Sequence, residues 1–156
     1  MLKWGMAAAL AVCALPAAAA AADWRMAGLS GETGDRTLFL VDASSVEQPR
    51  RGEVRFEMMM LYQKPFQGVN RTMSRIEANC ARRSFTLVSV RFFADEREMG
   101  EHRSGESVDA PAGSAFESVL VGACTREWGS RTIARPRDAA DAIFSADDPL
   151  EAARNM

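Results

Sequence analysis

Sulfur is the most chemically distinctive element of this sequence, which carries three cysteines and nine methionines in 156 residues. Met58-Met59-Met60 with Met73 would supply thioethers, the ligands that copper(I) prefers. Neighbours on a strand point to opposite faces, so Met58 and Met60 share a side while Met59 does not. Core packing, the ordinary use of methionine, is therefore the expectation. Cys80 and Cys124 lack the C-x-x-C spacing that tunes a thiol for redox work. They are expected to form one structural disulfide if the chain folds in an oxidising compartment.

Other chemistry is sparse. His102 is the single histidine, and it sits in the most polar stretch of the chain. Its isolation removes Ser-His-Asp and Cys-His arrangements and any multi-histidine metal site. Asp95-Glu96 with Glu98 offers carboxylates to a hard cation but lacks the D-x-D-x-D-G spacing of a calcium loop. Asp147-Asp148 stands before Pro149 as a helix start signal. Asn70-Arg71-Thr72 resembles a glycosylation acceptor, which matters only in a glycosylating secretory pathway. No phosphate-binding loop, dinucleotide fingerprint or nucleophile elbow is present. The sequence thus predicts no catalytic residues, no metal site and no cofactor.

The compartment is argued from the N-terminus. Met1-Leu2-Lys3 is a short positive start, Trp4 to Leu15 is apolar, Pro16 breaks the run, and alanines continue to Ala22. These are the parts of a secretory signal peptide, expected over residues 1–22, with Ala20-Ala21-Ala22 before the cut. The apolar run is too short to span a bilayer, which needs roughly 20 residues. Lipidation at Cys13 is disfavoured, because bulky Val12 precedes it and little apolar sequence comes before. Cleavage would remove Cys13 and leave an even pair, Cys80 and Cys124. The bridge would close a loop of about 45 residues, which in the chain-entropy model is worth roughly 4 kcal/mol. The remaining length suits one domain with a real core. The full chain has 19 basic and 21 acidic residues, a formal net charge of −2. Arginines are scattered (Arg50-Arg51, Arg82-Arg83, Arg131, Arg135, Arg137), which gives no electrostatic footprint for nucleic acid.

Several elements must position these residues. Leu38 to Val41 reads as a strand that ends in the turn cluster Asp42-Ala43-Ser44-Ser45. From Val54 the chain alternates, with Val54, Phe56, Met58, Met60 and Tyr62 on one face and Arg55 and Glu57 on the other. Met59 and Leu61 make that second face apolar as well, so the end of the strand is expected to be covered on both sides. Met73 to Cys80 alternates again, and Ser84 to Ala94 is strongly apolar. Three successive strands with short connections predict an antiparallel meander, with Trp24 to Leu29 as an added edge strand. Ala94 to Pro111 reads as a solvated hairpin or a loop. Ser114 with Glu117 is a capping-box pattern, followed by Phe116, Val119, Leu120 and Ala123 at helical spacing. The pattern predicts a helix from about Ser114 to Thr125, stapled to the sheet through Cys124. Residues 126–156 form a tail whose order the sequence leaves open, with short helices expected at Arg137 to Phe144 and Pro149 to Asn155.

The order of single residues resembles a known family. Trp24 opens the segment, Leu38 to Asp42 leads into Ser44-Ser45, and a long strand ends near Tyr62. Ser74 and Glu77 then precede Asn79-Cys80-Ala81-Arg82-Arg83, and Phe116 and Cys124 close it. This order is similar to the surface-adhesin protein E-like family of exported bacterial proteins, over about Trp24 to Cys124. The resemblance implies an antiparallel sheet with a packed helix and a Cys80–Cys124 bridge. It also implies adhesion, since the family's named member binds host matrix and serum proteins.

Together these readings predict an α+β domain over residues 23–125, a five- or six-stranded antiparallel sheet with one helix on a face. Its expected role is non-enzymatic binding of a protein, either a host matrix protein or an envelope protein, through a sheet edge or the polar stretch around Glu101. The alternative is a periplasmic accessory or inhibitor acting on an envelope partner. The expected location is the periplasm or the cell surface, with no nucleic-acid partner and no membrane span.

Overall fold

The computed structural model describes residues 21–129 and 131–155. The expected signal segment up to Ala20, Cys13 included, lies outside them. An antiparallel sheet dominates, in the order β1 (Trp24–Ser30), β2 (Thr37–Asp42), β4 (Glu53–Phe66), β5 (Val69–Asn79), β6 (Ser84–Ala94), β7 (Arg97–Arg103). Two short strands lie off this path: β3 (Glu47–Arg50) pairs with β4, and β8 (Ser107–Asp109) pairs with β6. The five or six antiparallel strands expected from the alternation are the main path of this sheet. The polar stretch after Ala94 is a hairpin whose second strand, β7, is exposed throughout.

One face carries Phe39, Val41, Val54, Phe56, Met58, Ile76 and Ala78, all buried. Helix α1 (Ala115–Thr125) closes it with Val119, Leu120 and Ala123. Phe116 stacks on Phe85 at 5.1 Å and meets Phe39 edge-on at 5.2 Å. Such ring pairs add to the area they bury. Cys80 and Cys124 are bonded, with their Cα atoms 5.8 Å apart, so the end of β5 is tied to the last turn of α1.

The N-terminus of α1 departs from the expected capping box by one residue. Ser114 Oγ accepts from the Glu117 N–H at 3.1 Å, as the pattern requires, but the Glu117 carboxylate accepts from Gly113 N–H. The reason is local: the Ser114 N–H already donates to the Pro111 carbonyl at 3.1 Å. At the other end, Arg126 adopts a left-handed conformation and turns the chain so that Trp128 lies against Gly122. A Cβ at position 122 would sit 2.4 Å from the indole nitrogen, so any other residue there would push the Trp128 ring aside.

The tail builds the opposite layer. Helices α2 (Pro136–Ser145) and α3 (Pro149–Asn155) follow, and Ile133, Ala140, Ile143 and Phe144 are buried with Trp24, Leu38, Leu40, Met59 and Leu61. Pro136 begins α2, where its missing N–H costs nothing. Asp148 caps α3 by accepting from the Leu150 and Glu151 N–H groups at 3.0 and 2.9 Å. Arg36, only 8% exposed, donates to the Phe144 carbonyl at 3.2 Å, and Gln63 joins it at 3.3 Å. These bonds satisfy a backbone acceptor at the end of α2 that would otherwise be orphaned. No helix among the described residues is long and apolar enough to cross a membrane.

Candidate binding surface

The second face of the sheet is only partly covered. Beyond α2, alternation on β4, β5, β6 and β7 points charged side chains outward, and the register lines them up across the strands. One row runs Glu57, Arg75, Ser89, Arg103, and the next runs Met59, Met73, Arg91, Glu101. A third runs Leu61, Arg71, Phe93, Glu98. On the other side of the first row, Arg55 stands opposite Glu77.

Opposite charges meet along and between these rows. Arg55 Nη2 lies 2.5 Å from Glu77, Arg75 3.4 Å from Glu57, and Arg91 3.7 Å from Glu98. Arg71 and Arg91 both lie over the Phe93 ring, 4.5 and 5.7 Å from its centre. Met73 Sδ lies 3.9 Å from the Arg91 guanidinium. A depression of about 380 Å³ opens among Glu57, Met73, Arg75, Arg91, Glu101 and Arg103. The arrangement presents guanidinium planes and carboxylates held in register, with a thioether and a ring between them. Exposed ion pairs of this kind contribute little stability. Arginine and aromatic or methionine side chains are the types enriched where proteins meet.

The residues singled out in the sequence fall in different places. Glu98 and Glu101 lie on this surface. His102 is exposed on β7, opposite Val90. Asp95 turns the β6–β7 hairpin with a positive φ of 53°. Its carboxylate accepts from Asn70 Nδ2 at 2.6 Å, and its N–H donates to Asn70 Oδ1 at 3.0 Å. Asn70 is buried by these bonds, and Glu96 pairs with Arg71 at 3.6 Å. Among the described residues no group of three or more His, Cys, Asp or Glu side chains is gathered to hold a metal ion. The methionines separate as strand alternation requires: Met58 faces α1 and Met59 faces α2. The arginines of the surface, Arg71, Arg75, Arg91 and Arg103, were not legible as a group, because their union depends on strand register.

One family profile, that of surface-adhesin protein E, matches residues 24–125. The chain belongs to the surface-adhesin protein E family. No curated protein and no solved structure matches it. In this member of the adhesin E family the match opens on the first residue of β1 and closes on the last of α1. The sheet, the disulfide and the charged rows therefore lie within the shared region, whereas α2 and α3 lie beyond it.

The start of the matched region is also firmly tied down. Arg25 grips Asp23 with two hydrogen bonds of 2.8 Å, and Thr132 donates to the same carboxylate at 2.6 Å. The Arg25 bond, then the Thr132 bond, hold the Asp23 carboxyl below its ordinary range. The Asp23 N–H itself donates to the buried Asp42 carboxylate at 2.9 Å.

Proposed function

We propose that this adhesin E family member is an exported, non-enzymatic protein that binds another protein through the charged rows of β4 to β7. The observation that carries this reading is the surface itself: matched arginines and glutamates held in register around Met73 and Phe93, on the half of the second sheet face that α2 leaves open. A partner of mixed charge can exchange these ion pairs for its own, which favours specificity and encounter rate more than raw affinity. The partner is a host matrix protein if the chain faces outward, or an envelope protein if it stays inside the outer membrane.

Export is supported by the signal-like N-terminus and by the disulfide, a bond at home in oxidising compartments. Cleavage after Ala22 would convert the Asp23 N–H into an ammonium already placed 2.9 Å from Asp42, a pair that strengthens once charged. Protease shaving of intact cells tests the location. Digestion without lysis supports a surface adhesin, and protection until lysis supports the periplasmic accessory role. Immobilised matrix proteins then test binding in the first case, and in-cell cross-linking tests it in the second. In either case Arg75→Glu with Arg91→Glu should abolish binding while the unfolding midpoint holds. Undiminished binding would refute the charged surface as the site.

A further inference from the structure

The two edges of the sheet are treated differently, and the β1 edge carries a groove outside the charged surface. β1 ends the strand order and has a sheet partner on one side only. Its outer side is already used once, because the Ile133 N–H donates to the Trp24 carbonyl at 2.8 Å. By the period of two, Met26 presents its own N–H and carbonyl to that same side. A bulge between Met26 and Gly28 then bends the edge. Among the described residues no further backbone bond to the outer edge of β1 is made.

Around this edge lies a cavity of about 570 Å³, between α1 on one side and α3 on the other. Its walls include Met26, Leu29, Ile133, Leu150 and Ala153. Leu150 is 58% exposed, a large apolar side chain turned to solvent at the groove's rim. Arg131 and Arg154 complete the rim, and both are exposed. Arg131 spends one guanidinium nitrogen on the Asn155 carbonyl at 2.6 Å.

We propose that this groove is a second binding site, which takes an extended peptide segment carrying a carboxylate. An open strand edge asks for backbone donors and acceptors in extended form, the mode in which a peptide adds a strand to a sheet. The edge from Met26 to Leu29 has room for about four residues at 3.3 Å each. Side chains alternating along such a peptide meet the apolar walls, and its carboxylate meets Arg131 and Arg154, for which arginine is well shaped. Ile133 already occupies the neighbouring position on the same edge, so the peptide continues a pairing the chain begins. The strand edge and Ser118 lie within the region matched by the family, whereas the groove's other wall, from Gly129 to Arg154, lies outside it, so the site needs this chain's tail as well as the shared domain.

The test is NMR titration of the isotopically labelled protein with a set of free-acid hexapeptides. In these peptides Thr alternates with Val, Ile, Leu or Phe, and the last residue is Asp. At least one peptide should move the amides of Met26, Ala27, Gly28 and Leu29 in a saturable way. Methylation of alternate backbone nitrogens in that peptide should weaken binding by about tenfold, through loss of the edge hydrogen bonds. Leu150→Glu and Arg154→Glu, both on exposed positions of α3, should weaken it while leaving the rest of the spectrum in place. The proposal is overturned if no peptide shifts these amides, or if the methylated peptide binds as well as its parent. It is also overturned if laurate fills the groove and the peptides do not, which would make it a lipid site.

Discussion

β4 and β5 each carry two kinds of surface on one face. Along the second face of β4, Arg55 and Glu57 come first and Met59 and Leu61 follow. On β5, Arg75 and Glu77 lie beside the charged end. The apolar end, joined by Leu38 and Leu40 of β2, is sealed by Ile133, Ala140, Ile143 and Phe144. The charged end is left to solvent and to its own ion pairs. One strand thus changes character part-way along, and the difference separates what holds the molecule together from the face proposed to meet a partner. Burial of apolar area stabilises, whereas exposed charge pairs orient and select.

The comparison can be broken from its apolar end first. Ile143 is fully buried under the sheet, and Ile143→Ala should cost about 2–5 kcal/mol in a denaturant titration. A loss below about 1 kcal/mol would mean that α2 is not part of the cooperative unit. On the first face, Cys80→Ser removes the staple between β5 and α1 and should cost about 2–5 kcal/mol; an unchanged midpoint would contradict the bridge. Ser114→Ala deletes the cap of α1 and should cost about 1 kcal/mol, measured the same way. At the charged end, Arg55→Ala should change stability by no more than about 1 kcal/mol. A larger loss there would make the ion pairs part of the scaffold and erase the distinction.

The division of β4 was legible in the sequence, because alternation at Val54 to Tyr62 shows one continuous apolar side and a second side that turns apolar at Met59. The start of α1 at Ser114 and the disulfide were legible for similar reasons: a cap residue with helical spacing after it, and two cysteines left to pair. The tail helices could be read in outline, the second from Asp148 before Pro149, but not the face they cover. That depends on Ile143 meeting Leu38 and Leu40 about a hundred residues earlier, a contact that no local pattern encodes. The charged rows were hidden for the same reason. Arg75, Arg91 and Arg103 lie on three different strands and become neighbours only through register. The shift in the capping box shows a smaller limit: Ser114 N–H was already committed to Pro111, a turn bond the motif does not include.

The open, charged half of this face is proposed to meet a partner. The most direct test is a photoactivatable residue at Ser89, in the middle of the rows, with a second variant at exposed Glu127 as control, irradiated in intact cells. Position 89 should give a discrete adduct with another protein, and position 127 none. No adduct at 89, or the same adduct from both positions, would contradict it.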